Sequence, residues 1–435
     1  MITSPAFANR KFAILGLARS GLAAAQSLAA SGAQILAWDN REEARNAAAD
    51  IAVIADPLLA DLTGYDGIVV SPGVPLNVHP VAEKARSAGV PIIGDIELFA
   101  MARPSLPAHR VVGITGTNGK STTTALMHHI VKSAALPARM AGNIGVPILS
   151  QNPLSAGGVY ILELSSYQLD LTHSLDCDVA ALINLSPDHL DRYDGYAGYM
   201  ASKARLFAMQ SGRHAAVFGT GDEDTKRIYE AVLAERGGAS CVLANTDLLD
   251  GQADWPSLQG PHNLQNAAMA IAMAEALGLR EHQWRKALET FRGLAHRMEI
   301  VGQWNGILFV NDSKATNPAS TAPALASYPR IRWIVGGLPK TDNLDECTPG
   351  FPNVVKAYTI GEAGPLFTKI LSQHIAVESC ELMVTAVAHA ARDAQPGDVI
   401  MLSPACASFD QFKDFEARGD CFKAAFASLP GASRQ

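Results

Sequence analysis

Val111-Val-Gly-Ile-Thr-Gly116-Thr-Asn-Gly119-Lys120-Ser121-Thr122 is the stretch on which the fold turns. A strand from Arg110 to Ile114 stops at a glycine-rich turn, and helix-forming residues run from Lys120 to about Ala135. A buried strand that feeds a helix through such a turn opens a βαβ unit, and so predicts a parallel sheet. The turn also carries chemistry. Backbone N–H groups of Gly116, Thr117, Asn118 and Gly119, with the helix N-terminus behind them, suit phosphate oxygens. Lys120 can neutralise terminal phosphates, and the Ser121 hydroxyl, next to Thr122, can reach Mg²⁺. The spacing is a variant of G-x-x-x-x-G-K-[ST], because Ile114 occupies the first glycine position. A bare glycine turn that binds nothing is the alternative, so a second signal is needed from the same block.

Two strand ends supply it. Glu163 closes the apolar run Ile161-Leu-Glu-Leu-Ser-Ser166, where an unpaired buried carboxylate costs several kcal/mol and a metal ion removes that cost. Further on, Asn184-Leu-Ser-Pro-Asp-His189-Leu-Asp-Arg-Tyr193 brings an imidazole and two aspartates to one turn. Hard oxygens with a single imidazole fit Mg²⁺ held through phosphates better than a closed zinc cage. Taken by itself, His189 reads equally well as a hydrogen-bonded surface histidine.

Working outward, the same alternation occurs on both sides. Lys11 to Leu15, the turn Gly16-Leu-Ala-Arg-Ser-Gly21, an Ala-rich helix and Gln34 to Trp38 form a βαβ unit, followed by strands at residues 68–71 and 90–93. Ala18 stands where a dinucleotide-binding fingerprint has its second glycine, so this unit alone is a weak signal for NAD. The Pro-rich segment Ala102-Arg-Pro-Ser-Leu-Pro-Ala reads as a linker. Strands at 307–310, 333–335, 354–360 and 399–402 give a third block. The predicted fold class is α/β in three domains.

Composition narrows the function. The 435 residues carry 35 Lys+Arg and 42 Asp+Glu, a net charge of -7 with no dense basic run, so nucleic acid is not an expected partner. Six cysteines lie far apart without a C-x-x-C pair, which reads as reduced thiols and a cytoplasmic setting. The apolar strand near the N-terminus is too short for a signal-peptide core, and no membrane span is expected.

The residues quoted above, together with His262-Asn-Leu-Gln-Asn266 and His296-Arg297-Met-Glu, resemble the central motifs of the Mur ligases, the ATP-dependent amide-forming enzymes of peptidoglycan precursor synthesis. Asn311-Asp-Ser-Lys-Ala-Thr-Asn317 and Leu402-Ser-Pro-Ala-Cys-Ala-Ser-Phe-Asp-Gln-Phe412 resemble the branch that adds D-glutamate to UDP-N-acetylmuramoyl-L-alanine. The resemblance covers all three blocks in order. It implies a Rossmann-like UDP-sugar domain at 1–101, a phosphate-loop ATPase domain at 109–298 and a Rossmann-like amino-acid domain at 302–435. It also implies ATP and Mg²⁺ as cofactors, an acyl-phosphate intermediate and a monomer.

Site residues follow from the same resemblance. Arg19, Ser20, Asp39, Asn40, Arg41, Ser71 and Gly73 fall where the family grips the UDP-sugar, with Asn143 as a further substrate contact. Lys120 faces the ATP phosphates, Ser121 and Glu163 one Mg²⁺, and His189 the second. Lys203 matches the lysine used as a carbamate; a solvated helical lysine is its plain alternative. Asn263, Asn266, Arg297 and Asp312 match nucleotide contacts, while Thr316, Lys340, Ser408 and Phe415 match the glutamate pocket. A sister stem-peptide ligase or a folylpolyglutamate synthase is the alternative within the class. The Asp-Asn-Pro-Arg tetrapeptide usual in the diaminopimelate- or lysine-adding sister is absent.

Overall fold

The computed structural model describes residues 1–247 and 249–434. Among these, the strands form three sheets. The first contains β1 (Lys11–Leu15), β2 (Gln34–Trp38), β3 (Val53–Ile54), β4 (Gly67–Val70) and β5 (Ile92–Ile93) in the order β3-β2-β1-β4-β5, all parallel. The second contains β6 (His109–Thr115), β7 (Ala138–Gly142), β8 (Gly158–Glu163), β9 (Val179–Leu182), β10 (Ala215–Gly219) and β11 (Cys241–Ala244). Its order is β11-β10-β9-β6-β8-β7, again all parallel.

The third sheet contains β12 (Glu299–Trp304), β13 (Ile307–Asn311), β14 (Ile331–Gly336), β15 (Val354–Ile360), β16 (Val377–Glu381), β17 (Val399–Leu402) and β18 (Ser433–Arg434). Its order is β16-β15-β14-β17-β13-β12-β18, with β12 antiparallel to both neighbours. Central strands such as β6, β8, β14 and β17 are buried along nearly their whole length because helices cover both faces, the usual condition of parallel strands.

Two compact units contain these sheets. One comprises residues 1–247 and 268–287 and holds the first two sheets; the other comprises 248–267 and 288–435 and holds the third. The Pro-rich segment expected as a linker is ordered and lies inside the first unit. Helix Asp95–Ala102 buries Leu98, Phe99 and Ala102 and runs directly into a 3₁₀ turn at Arg103–Ser105. Arg103 is then tied by hydrogen bonds to the Asp176 carbonyl and to Asp178, and Ser105 to Ser4. One apolar cluster, running from Phe12 and Ile14 through Phe99 to Tyr160 and Leu182, spans the first and second sheets.

Candidate active site

β6 occupies the point in the second sheet where the strand order reverses, and its carboxyl end delivers the glycine turn. Open α/β sheets place ligands in this crevice. Gly116 has φ +153°, and a Cβ there would meet Ile183 at 3.1 Å and the Asn184 backbone at 3.4 Å. Gly119, at φ +81°, precedes helix Lys120–Ser133 in the left-handed region that glycine adopts without strain. The turn is held from the next strand: Thr117 N–H donates to the Asn184 carbonyl at 2.9 Å and Asn118 N–H to Asn184 Oδ1 at 2.9 Å. Ser121 is buried in the first helical turn.

Two lysines converge on this turn. Lys120 Nζ donates to the carbonyls of Thr117 at 2.7 Å and Gly116 at 3.0 Å. Lys203 Nζ donates to the same Gly116 carbonyl at 2.7 Å and lies 4.7 Å from the centre of the Tyr199 ring. Lys203 is only 1% exposed, so the solvated reading of this lysine is excluded. Burial, reinforced by the neighbouring Lys120 charge, lowers its pKa to about 7.

Glu163 ends β8 beside this turn and is 1% exposed. Its Oε1 accepts from Asn143 Nδ2 at 2.8 Å, while Oε2 is buried without a hydrogen-bond partner. A buried carboxylate oxygen left open beside a glycine turn at a helix N-terminus fits a divalent cation, so the residues present suit Mg²⁺. Gly142 makes this approach possible, since a Cβ there would lie 2.1 Å from the Glu163 carbonyl oxygen. His189 is half-exposed at φ +53°, with Nε2 3.4 Å from Asp188, and its ring lies 5.1 Å from Tyr167 and 6.5 Å from Tyr199.

The first sheet presents its own polar groups nearby. Asp39 accepts from Leu17 N–H at 2.7 Å and from Arg41 N–H and Nε at 2.9 and 3.1 Å. Burial alone would raise its pKa, but these bonds and the Arg41 charge bring it to about 2. Asn40 contributes its carbonyl to Arg45, whose guanidinium stacks over Trp38 at 4.7 Å. Ser71 Oγ donates to the Gly16 carbonyl at 3.0 Å, and Arg19 donates to the Gly145 carbonyl at 2.8 Å, next to Asn143. Ser20 lies in the first turn of helix Arg19–Ala30, and Gly73 in the loop after β4.

Arg192 was not among the expected residues. It donates to the Val74 carbonyl at 2.8 Å and stacks over Tyr167 at 4.2 Å, closing one wall of a small cleft lined also by Pro72, Asn77 and Tyr193. Tyr199 was missed as well, although its spacing of four from Lys203 on helix Gly195–Ala208 puts both on one helical face. Its hydroxyl is 3.1 Å from Thr117 Oγ1.

In the second unit, Asn263 and Asn266 are buried at the start of helix Pro261–Ala276 and hydrogen-bonded to each other at 3.1 Å. Arg297 stands between His296 and Met298, both at positive φ. Asp312, directly after β13, accepts from Ser403 Oγ at 2.8 Å and Met298 N–H at 3.2 Å; burial raises its pKa to about 7. Lys340 Nζ meets Thr316 Oγ1 at 3.3 Å, so two expected glutamate-pocket residues come together. Phe415 packs 5.0 Å from Lys314 Nζ and 6.0 Å from the His296 ring, and Ser408 is buried after β17.

Arg418, also missed, organises these loops. It is 1% exposed and donates to Ser313 Oγ at 3.0 Å, the Ser313 carbonyl at 2.8 Å and the Ala407 carbonyl at 3.0 Å.

A glycine turn at a strand-to-helix junction, two lysines that converge on it and an open buried carboxylate, carried on parallel sheets, fit an ATP-dependent ligase of the Mur type. Three family descriptions match in order: the MurD-like N-terminal domain over residues 10–94, the Mur ligase middle domain over 114–237, and the Mur ligase glutamate ligase domain over 296–406. The chain belongs to the Mur ligase family. It is 66% identical to the UDP-N-acetylmuramoylalanine-D-glutamate ligase of Novosphingobium aromaticivorans, over 97% of this chain and 96% of that protein. It is 57% identical to the enzyme of the same name from Sphingopyxis alaskensis, over 99% of this chain and all of that protein. The UDP-N-acetylmuramate-alanine ligase of Thermotoga maritima shares the fold at a TM-score of 0.57 and 16% identity, with 97% of this chain and all of that one covered.

Proposed function

We propose that this chain is the ATP-dependent ligase that joins the amine of D-glutamate to the L-alanine carboxylate of UDP-N-acetylmuramoyl-L-alanine in peptidoglycan precursor synthesis. One observation carries the choice of substrates: identity of 66% across nearly the full chain to a ligase of that name. A carboxylate and an ammonium do not condense at neutral pH, so the acid is first activated by phosphoryl transfer. The substrate carboxylate attacks the γ-phosphate in line, giving an acyl-phosphate and ADP; the D-glutamate amine then adds to the acyl carbon, loses a proton, and inorganic phosphate leaves.

The residues have distinct tasks in this scheme. The N–H groups of residues 116–119 and the N-terminus of helix Lys120–Ser133 hold phosphate oxygens. Lys120 leaves its loop carbonyls to offset charge on the transferring group. Ser121, Glu163, His189 and a Lys203 carbamate would hold Mg²⁺, whose charge screens the carboxylate from the phosphates it attacks. The 1–101 domain holds the UDP-sugar, with Asp39, Asn40, Arg41, Ser71 and Gly73 around the nucleotide and Asn143 at the reacting end. In 302–435, Thr316, Lys340, Ser408 and Phe415 hold D-glutamate, while Asn263, Asn266, Arg297 and Asp312 hold the nucleotide.

A monomer in the cytoplasm completes the reading. All six cysteines are unpaired, which suits a reducing compartment. The deciding experiment measures phosphate release from ATP with UDP-N-acetylmuramoyl-L-alanine and a panel of amino acids. Turnover confined to D-glutamate is the expected result; preference for L-alanine, lysine or diaminopimelate overturns it.

A further inference from the structure

We propose that Glu378, Cys380 and His389 form a binding site for one divalent cation of the zinc class, on the outer edge of the third sheet. Glu378 and Cys380 are two residues apart on edge strand β16, so both side chains leave the same face of the strand. That face packs against helix Met383–Asp393, which contributes His389. One ligand atom from each of the three lies within 4.8 Å of the other two.

The distances suit a small tetrahedral ion. Zinc–ligand lengths of about 2.3 Å to sulfur and about 2.0–2.1 Å to nitrogen place those two atoms roughly 3.5 Å apart in a tetrahedron. Cys380 Sγ and His389 Nδ1 are 3.8 Å apart. Glu378 Oε1 and His389 Nδ1 are 2.6 Å apart, sharing one proton. An ion that takes the place of this proton, with the imidazole carrying its hydrogen on Nε2 instead, must push the pair apart to roughly 3.3 Å, a side-chain adjustment on a partly exposed surface. Thiol, imidazole and carboxylate together select zinc or cobalt over magnesium, which wants oxygen alone.

The surroundings orient the carboxylate. Lys356 Nζ holds the other oxygen, Glu378 Oε2, at 2.6 Å and is itself held by Asp393 at 2.7 Å; Arg392 reaches Glu378 Oε2 at 3.4 Å. Oε1 is thereby turned toward the sulfur and the imidazole, the supporting role that outer partners play at metal sites. The two cations and the two carboxylates balance in charge. Binding therefore releases the Cys380 thiol proton to solvent, and the resulting thiolate offsets half of the incoming charge. The side chains of Glu378 and His389 are 27% and 34% exposed, which leaves an entry path.

The test uses the full chain, stripped with a chelator and titrated with CoCl₂ and then ZnCl₂. One equivalent of cobalt should bind with thiolate-to-metal charge-transfer absorption in the near ultraviolet, and zinc should displace it. C380S should abolish that absorption, H389Q should weaken binding at least ~10-fold, and C421S should change neither. Zinc should also raise the melting temperature of the wild type but not of C380S, and ligase turnover should be the same in wild type and C380S. Cobalt binding without the thiolate band, or a band that survives C380S, overturns the proposal. Because the readout is spectroscopic, it stands or falls separately from the ligase reading.

Discussion

Arg418→Met asks whether one buried cation holds the loops of the third sheet in register. Its guanidinium spans Ser313, in the loop after β13, and Ala407, in the loop after β17. Two of the three acceptors keep another partner without it. The Ala407 carbonyl still receives Leu338 N–H at 2.9 Å, and Ser313 Oγ still donates to the Phe415 carbonyl at 2.8 Å. Only the Ser313 carbonyl loses this partner outright, a cost of about 1–3 kcal/mol for a buried acceptor. Methionine keeps most of the stem's packing, and the charge it removes was already disfavoured, since burial lowers the Arg418 pKa to about 10. A net loss of about 2 kcal/mol in urea unfolding follows. Ser313 joins Asp312 to Lys314 and Ala407 precedes Ser408, so the loosened loops should raise KM for D-glutamate roughly tenfold, equivalent to about 1.4 kcal/mol. A double-mutant cycle with Ser313→Ala should give a coupling of about 1 kcal/mol. Stability within about 0.5 kcal/mol of wild type together with an unchanged KM would refute the reasoning.

Other perturbations address the phosphate turn and its neighbours. Lys120→Ala should lower turnover at least ~10³-fold in the phosphate-release assay, the scale for losing a group that stabilises a transferring phosphoryl. Glu163→Gln should increase the Mg²⁺ needed for half-maximal rate at least ~10-fold while raising the melting temperature of the metal-free protein, because it neutralises a carboxylate whose Oε2 is buried without a partner. Gly142→Ala should yield little folded protein in expression trials, since its Cβ would fall 2.1 Å from the Glu163 carbonyl oxygen. Asp312 has a folded-state pKa of about 7 against 3.8 for the free group. The native state therefore binds the extra proton between these values, its contribution is present below the unfolded pKa, and stability falls as pH rises toward 7. Asp312→Asn should flatten that decline in urea melts taken across the window; an unaltered slope counts against it.

What the sequence disclosed divides by range. The turn at 116–121 was legible because glycine, lysine and serine act there within one strand-to-helix junction, and Glu163 because a lone carboxylate in an apolar run is anomalous by itself. Arg192 and Arg418 were not. Their partners lie 118 and 105 residues away, and a buried arginine looks in sequence like any exposed one. Short edge strands were missed for a different reason. β11 and β16 are half-exposed along their length, so neither an apolar run nor clean alternation marks them. The local order of the Pro-rich segment was hidden because proline reads as a break, whereas Pro104 stands in the first turn of a 3₁₀ helix that continues a buried one.

Topology explains why so many candidate residues nonetheless fell on recognisable motifs. In each sheet the chemistry follows the carboxyl ends of adjacent parallel strands. In the first, Gly16, Asp39 and Ser71 follow β1, β2 and β4. In the second, Gly116, Asn143 and Asn184 follow β6, β7 and β9 while Glu163 ends β8, and in the third Asp312 and Ser403 follow β13 and β17. A parallel strand buried on both faces can expose polar groups only where it ends, so these residues sit at the junction of an apolar run and a turn. Such a junction is visible in sequence. The groups that brace it, drawn from helices and loops elsewhere in the chain, become visible only when the strands are laid side by side.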